Sequence, residues 1–300
     1  MSPVHRDTVS VPETDAAVGR GIAAIVVAMF LLSITDAAVK WLGHAGYAAT
    51  QIAFFRYLFG LVPVAVMIWR NGGRTLRVGR PGLHLMRIGL IFTTSIAFYT
   101  GLRYMPLAEA VAIAFTAPLF VTVFSWPLLG ERVGRRRWGA VAAGFVGAVI
   151  MLQPGTAAFR AEAILVLVAA LTFALAMLLT RRMAATETNT AIFAYSTLGA
   201  WIVSVPFVAV TWQVPVARDL WVFLMLGLVG GCGSYLVIVA YRHAPAALIA
   251  SFDYTSLVWA TLFGWVLWQE RPGPSVWVGA AVIVAAGLYI IHREGRRPSA

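Results

Sequence analysis

Runs of about twenty apolar residues, separated by short arginine-bearing connectors, recur along this 300-residue chain. A helix rises ~1.5 Å per residue and a bilayer's hydrocarbon core is about 30 Å thick, so each run has the length of a membrane crossing. Composition agrees: 60% of residues are hydrophobic and 12% charged, where a soluble domain carries roughly 25% charged residues. A water-soluble enzyme is excluded on that ground. Cys232 is the sole cysteine, so no disulfide forms within the chain.

Ten spans are expected, at Arg20–Leu42, Thr50–Trp69, Leu83–Leu102, Leu107–Leu129 and Trp138–Leu152, then Glu162–Thr180, Ala191–Thr211, Leu220–Ala240, Ala246–Trp268 and Ser275–Ile291. Residues 1–19 are polar, lack the features of a signal peptide, and are expected to form a disordered cytoplasmic tail. Residues 293–300 form a basic tail. The net charge of +11 would suggest nucleic acid if the bases were gathered on one soluble face. They lie instead in the connectors, so the expected macromolecular surroundings are lipid and no nucleic acid. Sixteen arginines fall on the loops that share a side with the chain ends, and four (Arg103, Arg160, Arg218, Arg271) on the other side, while Lys40, Arg56 and Arg87 lie within spans. By the positive-inside rule both termini are expected in the cytoplasm, with the chain in a bacterial inner membrane. Trp41, Trp69, Trp138, Trp212, Trp221, Trp268 and Trp277 stand near span ends, where indoles suit the interface.

The chain also repeats itself. Arg103-Tyr104-Met105-Pro106 aligns with Arg242-His243-Ala244-Pro245 at an offset of 139, which also pairs Thr116 with Thr255, Phe124 with Phe263, Trp126 with Trp265, Glu131-Arg132 with Glu270-Arg271, and Trp138 with Trp277. Pro63–Trp69 likewise matches Pro206–Trp212. Residues 20–153 and 154–292 thus form two units of five spans. Five is odd, so the second unit is inserted upside down, and the charges agree: Arg135-Arg136-Arg137 aligns with uncharged Pro274-Ser275-Val276. The fold expected is an all-α membrane protein of ten helices in two inverted repeats, the architecture of secondary transporters that hold substrate near the midplane. Conservation of Glu-Arg on both sides points to a structural role, as a helix cap or inter-helix pair.

The stretch Leu102-Arg103-Tyr104-Met105-Pro106, with Ala117-Pro118, Leu129-Gly130-Glu131-Arg132, Trp138-Gly139-Ala140 and Gly144, resembles the EamA-type drug/metabolite transporters. Asp36-x3-Lys40 and Phe55-Arg56-Tyr57 resemble members of the same group. The second unit departs from the signature, with Leu257 where the first has Pro118, and with Val278-Gly279 displacing the glycine of Gly139. The resemblance implies ten helices and the movement of small metabolites.

Charged groups at membrane depth cost roughly 2.5–3.5 kcal/mol on insertion scales, so each is a candidate for the site. Asp36 and Lys40, the sole lysine, stand one turn apart and can neutralise each other. Arg56 is a fork for Asp36, Glu109 or a substrate carboxylate. Glu109, in the first turn of its helix, suits a cap as well as a site. Asp253, without a basic neighbour within a turn, is the strongest single candidate. Ser95, Tyr99, Tyr235, Tyr254, Trp201 and Trp259 complete a polar and aromatic wall, while His44 and His84 at helix edges are expected to be incidental. Gly227-x3-Gly231 and Ala140-x3-Gly144 read as close helix contacts.

Absences narrow the mechanism. No phosphate-binding Gly-Lys-Ser/Thr, HExxH or GxSxG occurs, so neither an ATPase nor a familiar hydrolase motif is present. No cofactor or metal is expected, and transport would draw on a proton or solute gradient, in a monomer. The expected activity is export of amino acids, with uptake of a nucleoside-like or flavin-like heterocycle as the alternative. A polytopic enzyme or a channel lacks the clustered catalytic or repeated selectivity groups it would need.

Overall fold

A computed structural model describes residues 15–72, 76, 79–130, 134–156, 159–184, 186–244 and 246–295, and every element of regular secondary structure longer than one residue is an α-helix. Residues 1–14 and 296–300, Arg74, Arg77, Glu131-Arg132 and Pro245 lie outside them. Twelve helices make ten spans: α1 (Asp15–His44), α2 (Ala49–Asn71), α3 (Pro81–Tyr104), α4 (Leu107–Ala114) with α5 (Ala117–Leu129), α6 (Arg135–Leu152), α7 (Glu162–Met183), α8 (Asn189–Thr211), α9 (Ala217–His243), α10 (Ala246–Phe252) with α11 (Thr255–Trp268), and α12 (Pro274–Gly295). The first helix begins at Asp15, inside the segment expected to be a tail.

Helices dominate because hydrocarbon supplies no partner for a free backbone N–H or C=O. Helix capping and packing decide the rest. Pro63 and Pro206 sit inside α2 and α8, each leaving one carbonyl without its helical N–H. The two repeats interlock rather than stand apart: α1 packs on α9, α2 on α8 and α9, α3 on α7, and α6 on α12. Glycines set these distances. A methyl group built on Gly227 would come 2.4 Å from Phe59 Cβ, and one on Gly231 would lie 2.1 Å from Pro63 Cγ. Gly147 and Gly279 meet reciprocally, each facing the other's carbonyl, at 2.9 and 2.6 Å from the hypothetical carbon. Gly144 receives the Leu119 side chain in the same way.

Two spans expected to be continuous are broken, the fourth at Phe115-Thr116 and the ninth at Asp253-Tyr254. In the fourth, Pro118 has no N–H and its ring crowds the carbonyl of Ala114, so the helix restarts. The ninth has Leu257 at the aligned position, yet it breaks at the equivalent place. Aligned threonines explain why. Thr116 Oγ1 donates to Ile113 O at 2.8 Å and Thr255 Oγ1 to Phe252 O at 2.7 Å, while Ser256 Oγ donates to Asp253 O at 2.8 Å. Hydroxyls that take local carbonyls offer the backbone an alternative to the helix.

The breaks meet. Phe115 and Tyr254, one alignment offset apart, stack with ring centroids 4.6 Å apart. Each lies eight residues into its span from opposite ends, ~12 Å deep in a core about 30 Å thick. The pseudo-twofold relation between the repeats thus has a physical contact near mid-depth.

Close packing at Gly231 yields a direct test. Gly231→Val should cost about 1–3 kcal/mol by overpacking against Pro63 and lower the thermal transition in detergent. Gly89→Ala, whose added carbon meets nothing within 4 Å, should leave the transition unchanged or raise it.

Candidate functional site

Four of the residues selected from sequence converge where α1, α2 and α3 meet: Asp36, Arg56, Ser95 and Tyr99. The helical period brings them together, since Ser95 and Tyr99 stand four residues apart on α3. Tyr57 Oη and Ser95 Oγ share a hydrogen bond of 2.5 Å, and Tyr99 stands one turn along α3 from Ser95. Arg56 faces Asp36, Tyr57 and Tyr99. Across from it runs α9, where a methyl group on Gly230 would sit 3.6 Å from the Arg56 Nη1 and 3.4 Å from Thr35. Among the described residues the direct ion pairs join Lys40 to Glu270, His84 to Glu187 and Arg218 to Asp219. Asp36 and Arg56 thus oppose each other without closing on one another. A guanidinium fork and a carboxylate held apart can both engage one molecule that carries acceptors and donors on a single edge.

The i, i+4 pairing of Asp36 with Lys40 does not form. Lys40 is buried, and its ammonium donates to Met105 O at 2.6 Å and to Glu270 Oε1, with the Trp268 ring centroid 5.3 Å away. The other Glu270 oxygen accepts the backbone N–H of Leu107 at 2.8 Å. This reverses one expectation. A glutamate distant in sequence outcompetes the neighbouring aspartate because it also reaches the unpaired amides of α4, where a carboxylate is favoured. Glu109 stands in the first turn of α4, as expected, among the charges of Arg160, Glu270 and Lys40. Glu109 and Arg160 line a small cleft with Met105, Ile113 and Met151.

Three further candidates belong to the broken ninth span but point in different directions. Asp253 faces α9, where Tyr241 Oη donates to its Oδ2 at 3.4 Å. Trp259 faces α1, edge-on to Phe30 with centroids 4.9 Å apart. Tyr254 turns to Phe115 and against Gly287 of α12. Each keeps a buried polar atom without a partner among the described residues: Asp253 Oδ1, Trp259 Nε1 and Tyr254 Oη. Trp201 Nε1 is in the same condition, with its ring 6.0 Å from that of Phe54 on α2. Tyr235 does not join the site; its side chain is exposed on the outside of the bundle.

Some partners escape sequence reasoning. His84 is buried rather than incidental, bonded to Glu187, which also accepts the Arg80 N–H at 3.1 Å. Arg87 bonds Thr180 Oγ1 at 2.8 Å and Ser196 Oγ. Glu187 and Arg160 carry no pattern that marks them. Glu270 did carry a signal, its Glu-Arg repeat, and the inter-helix pair expected of that motif is present on this side.

The EamA-like transporter family matches residues 19–153 and 160–292, once for each repeat. A riboflavin transporter of Rhizobium johnstonii is 30% identical over 99% of this chain and 98% of its own. An S-adenosylmethionine uptake transporter of Rickettsia felis is 27% identical, covering 93% and 95%. The pseudopaline exporter of Pseudomonas aeruginosa is 27% identical, covering 89% and 94%. A solved crystal structure has a TM-score of 0.63 at 20% identity over 92% of this chain and 99% of that one, a likeness of fold.

Substitution separates the buried intramembrane charges from the exposed tyrosine. Arg56→Gln and Asp253→Asn should each slow solute exchange in proteoliposomes by about tenfold or more, a loss of ~1.4 kcal/mol, while the carrier remains folded on size-exclusion. Tyr235→Phe should stay within about twofold of the unsubstituted rate, as expected of a side chain outside the site.

Proposed function

The chain belongs to the EamA-like transporter family, and from that premise we propose that it takes up a small heterocyclic metabolite of the flavin, nucleoside or adenosyl type. The proposal includes an inner-membrane location, both termini in the cytoplasm, and movement down a net gradient of solute or ion. One observation carries it: Arg56 and Asp36 oppose each other without closing, beside the phenols of Tyr57 and Tyr99. A pyrimidine-like edge alternates acceptor, donor and acceptor. The guanidinium supplies donors to such an edge and the carboxylate accepts its N–H. The rings of Tyr57 and Tyr99 beside Arg56 can stack on the heterocycle.

The sequence expectation of amino-acid export rests on the same two charges, read as partners for an ammonium and a carboxylate. Two of the three named relatives support the heterocyclic reading, since riboflavin and S-adenosylmethionine both carry fused nitrogen rings, while the third is an exporter.

Counterflow decides between the two. Purified carrier in liposomes preloaded with riboflavin, S-adenosylmethionine, adenosine, leucine or phenylalanine should accumulate the labelled heterocycle saturably, with a preference over amino acids of about tenfold or more (~1.4 kcal/mol). Exchange of leucine or phenylalanine with none of the heterocycles would overturn the reading. Bulk conductance without saturation would overturn the carrier mechanism itself.

A further inference from the structure

We propose that Lys40 and Glu270 form the latch of a gate, and that the gate opens when the half-helices α4 and α11 swing about the two breaks. The argument begins with what the pair joins. Lys40 lies on α1 in the first repeat and Glu270 just beyond α11 in the second. Lys40 also holds the carbonyl of Met105 at the end of α3, and Glu270 the amide of Leu107 at the start of α4. Four elements are tied at one point, at the end of the bundle that the arginine asymmetry assigns to the outer face.

The local fold is shaped for this. Gln269 adopts a left-handed conformation, φ 56°, and Glu270 N–H donates back to Gly264 O at 3.1 Å. The chain therefore reverses at the end of α11 and lays the Glu270 carboxylate over Gly264, where an added methyl would come within 2.9 Å of Oε2. The ammonium meets the carbonyl end of α3 and the carboxylate the amide end of α4, so both charges also agree with the helix termini.

Other ties at this end differ in what they connect. Tyr47 Oη donates to Asp219 and accepts from Val216 N–H, each at 3.0 Å, and Gln51 and Gln213 bond reciprocally. These join the start of α2 to the α8–α9 turn, and α2 already packs against both helices. The Lys40–Glu270 tie instead holds the free ends of two half-spans whose other ends are hinged at Phe115-Thr116 and Asp253-Tyr254. Behind α4 lies the cleft with Glu109, Ile113 and Arg160. Release of the latch would let that cleft deepen toward the breaks.

Release need not strand a charge in hydrocarbon. Glu109 and Arg160, which donates to Tyr104 O at 3.0 Å, line the cleft beside Met105, whose carbonyl Lys40 holds, and would supply a carboxylate for the ammonium and a guanidinium for Glu270 on opening. The four charges sum to zero in either pairing. Exchange of partners keeps the opened state from leaving a lone buried ion, which would otherwise hold the gate shut.

Access to Ile113 tests this without a substrate, so its failure would not bear on the heterocycle reading. Ile113 is 2% exposed and lines the cleft. In full-length carrier in nanodiscs, carrying Cys232→Ser and Ile113→Cys, a membrane-impermeant thiol reagent should react about tenfold faster once Lys40→Met or Glu270→Gln is added. Glu270→Gln keeps an acceptor for Leu107 and preserves folding if Lys40→Met does not. As a second measurement, Lys40→Cys with Glu270→Cys in the same background, cross-linked by a short dithiol-cleavable reagent, should suppress labelling at position 113 until the link is reduced. Labelling rates that ignore both the single substitutions and the cross-link would overturn the proposal. If neither single variant folds, an unchanged rate on cross-linking alone overturns it.

Discussion

Hydrocarbon offers no hydrogen bond to a peptide group, and the architecture follows from that lack. Every stretch that meets lipid must close its backbone bonds within itself, which leaves helices for a chain without a barrel. A break is admissible only where protein supplies what the ladder loses. At Phe115-Thr116 and Asp253-Tyr254 the supply is local, a threonine hydroxyl that takes the carbonyl three residues back in each repeat. The aromatic rings of the two breaks then cover each other. The duplicated unit is therefore built around a pair of mutually shielded discontinuities, the feature by which inverted-repeat carriers place a site at mid-depth.

Charge is arranged on the same principle. An ion within the bundle persists when another side chain or a helix terminus meets it. Lys40 and Glu270 meet both requirements, and His84 with Glu187 does so toward the opposite end of α3. Asp36 and Arg56 are opposed but unclosed among phenols, and Asp253 and Arg87 likewise meet hydroxyls rather than an opposite charge.

Most of the fold was legible because apolar run length, arginine sidedness and the 139-residue offset are one-dimensional quantities. Glycine contacts at Gly227, Gly231 and Gly144 were legible for the same reason, since small residues four apart mark a helix face that admits a neighbour. The candidate site was legible in part. Asp36, Arg56, Ser95 and Tyr99 follow from intramembrane polarity and helical period. The partner of Lys40 did not, because spacing along α1 favours Asp36, whereas Glu270 wins by also satisfying the first amide of α4. The break in the ninth span was hidden too, since Leu257 replaces the proline that announces the fourth.

By itself the amino-acid sequence determined that this chain crosses the membrane in two inverted five-span repeats, and which polar groups must be buried on the way. Hydrophobic length and charge sidedness act residue by residue, so no neighbour in space is needed to read them. Tertiary structure alone decided who pairs with whom: Lys40 with Glu270 rather than Asp36, His84 with Glu187, Tyr254 with Phe115 and Gly287. Those choices compare interaction energies between groups brought together only by helix packing, and distance along the chain carries no record of them.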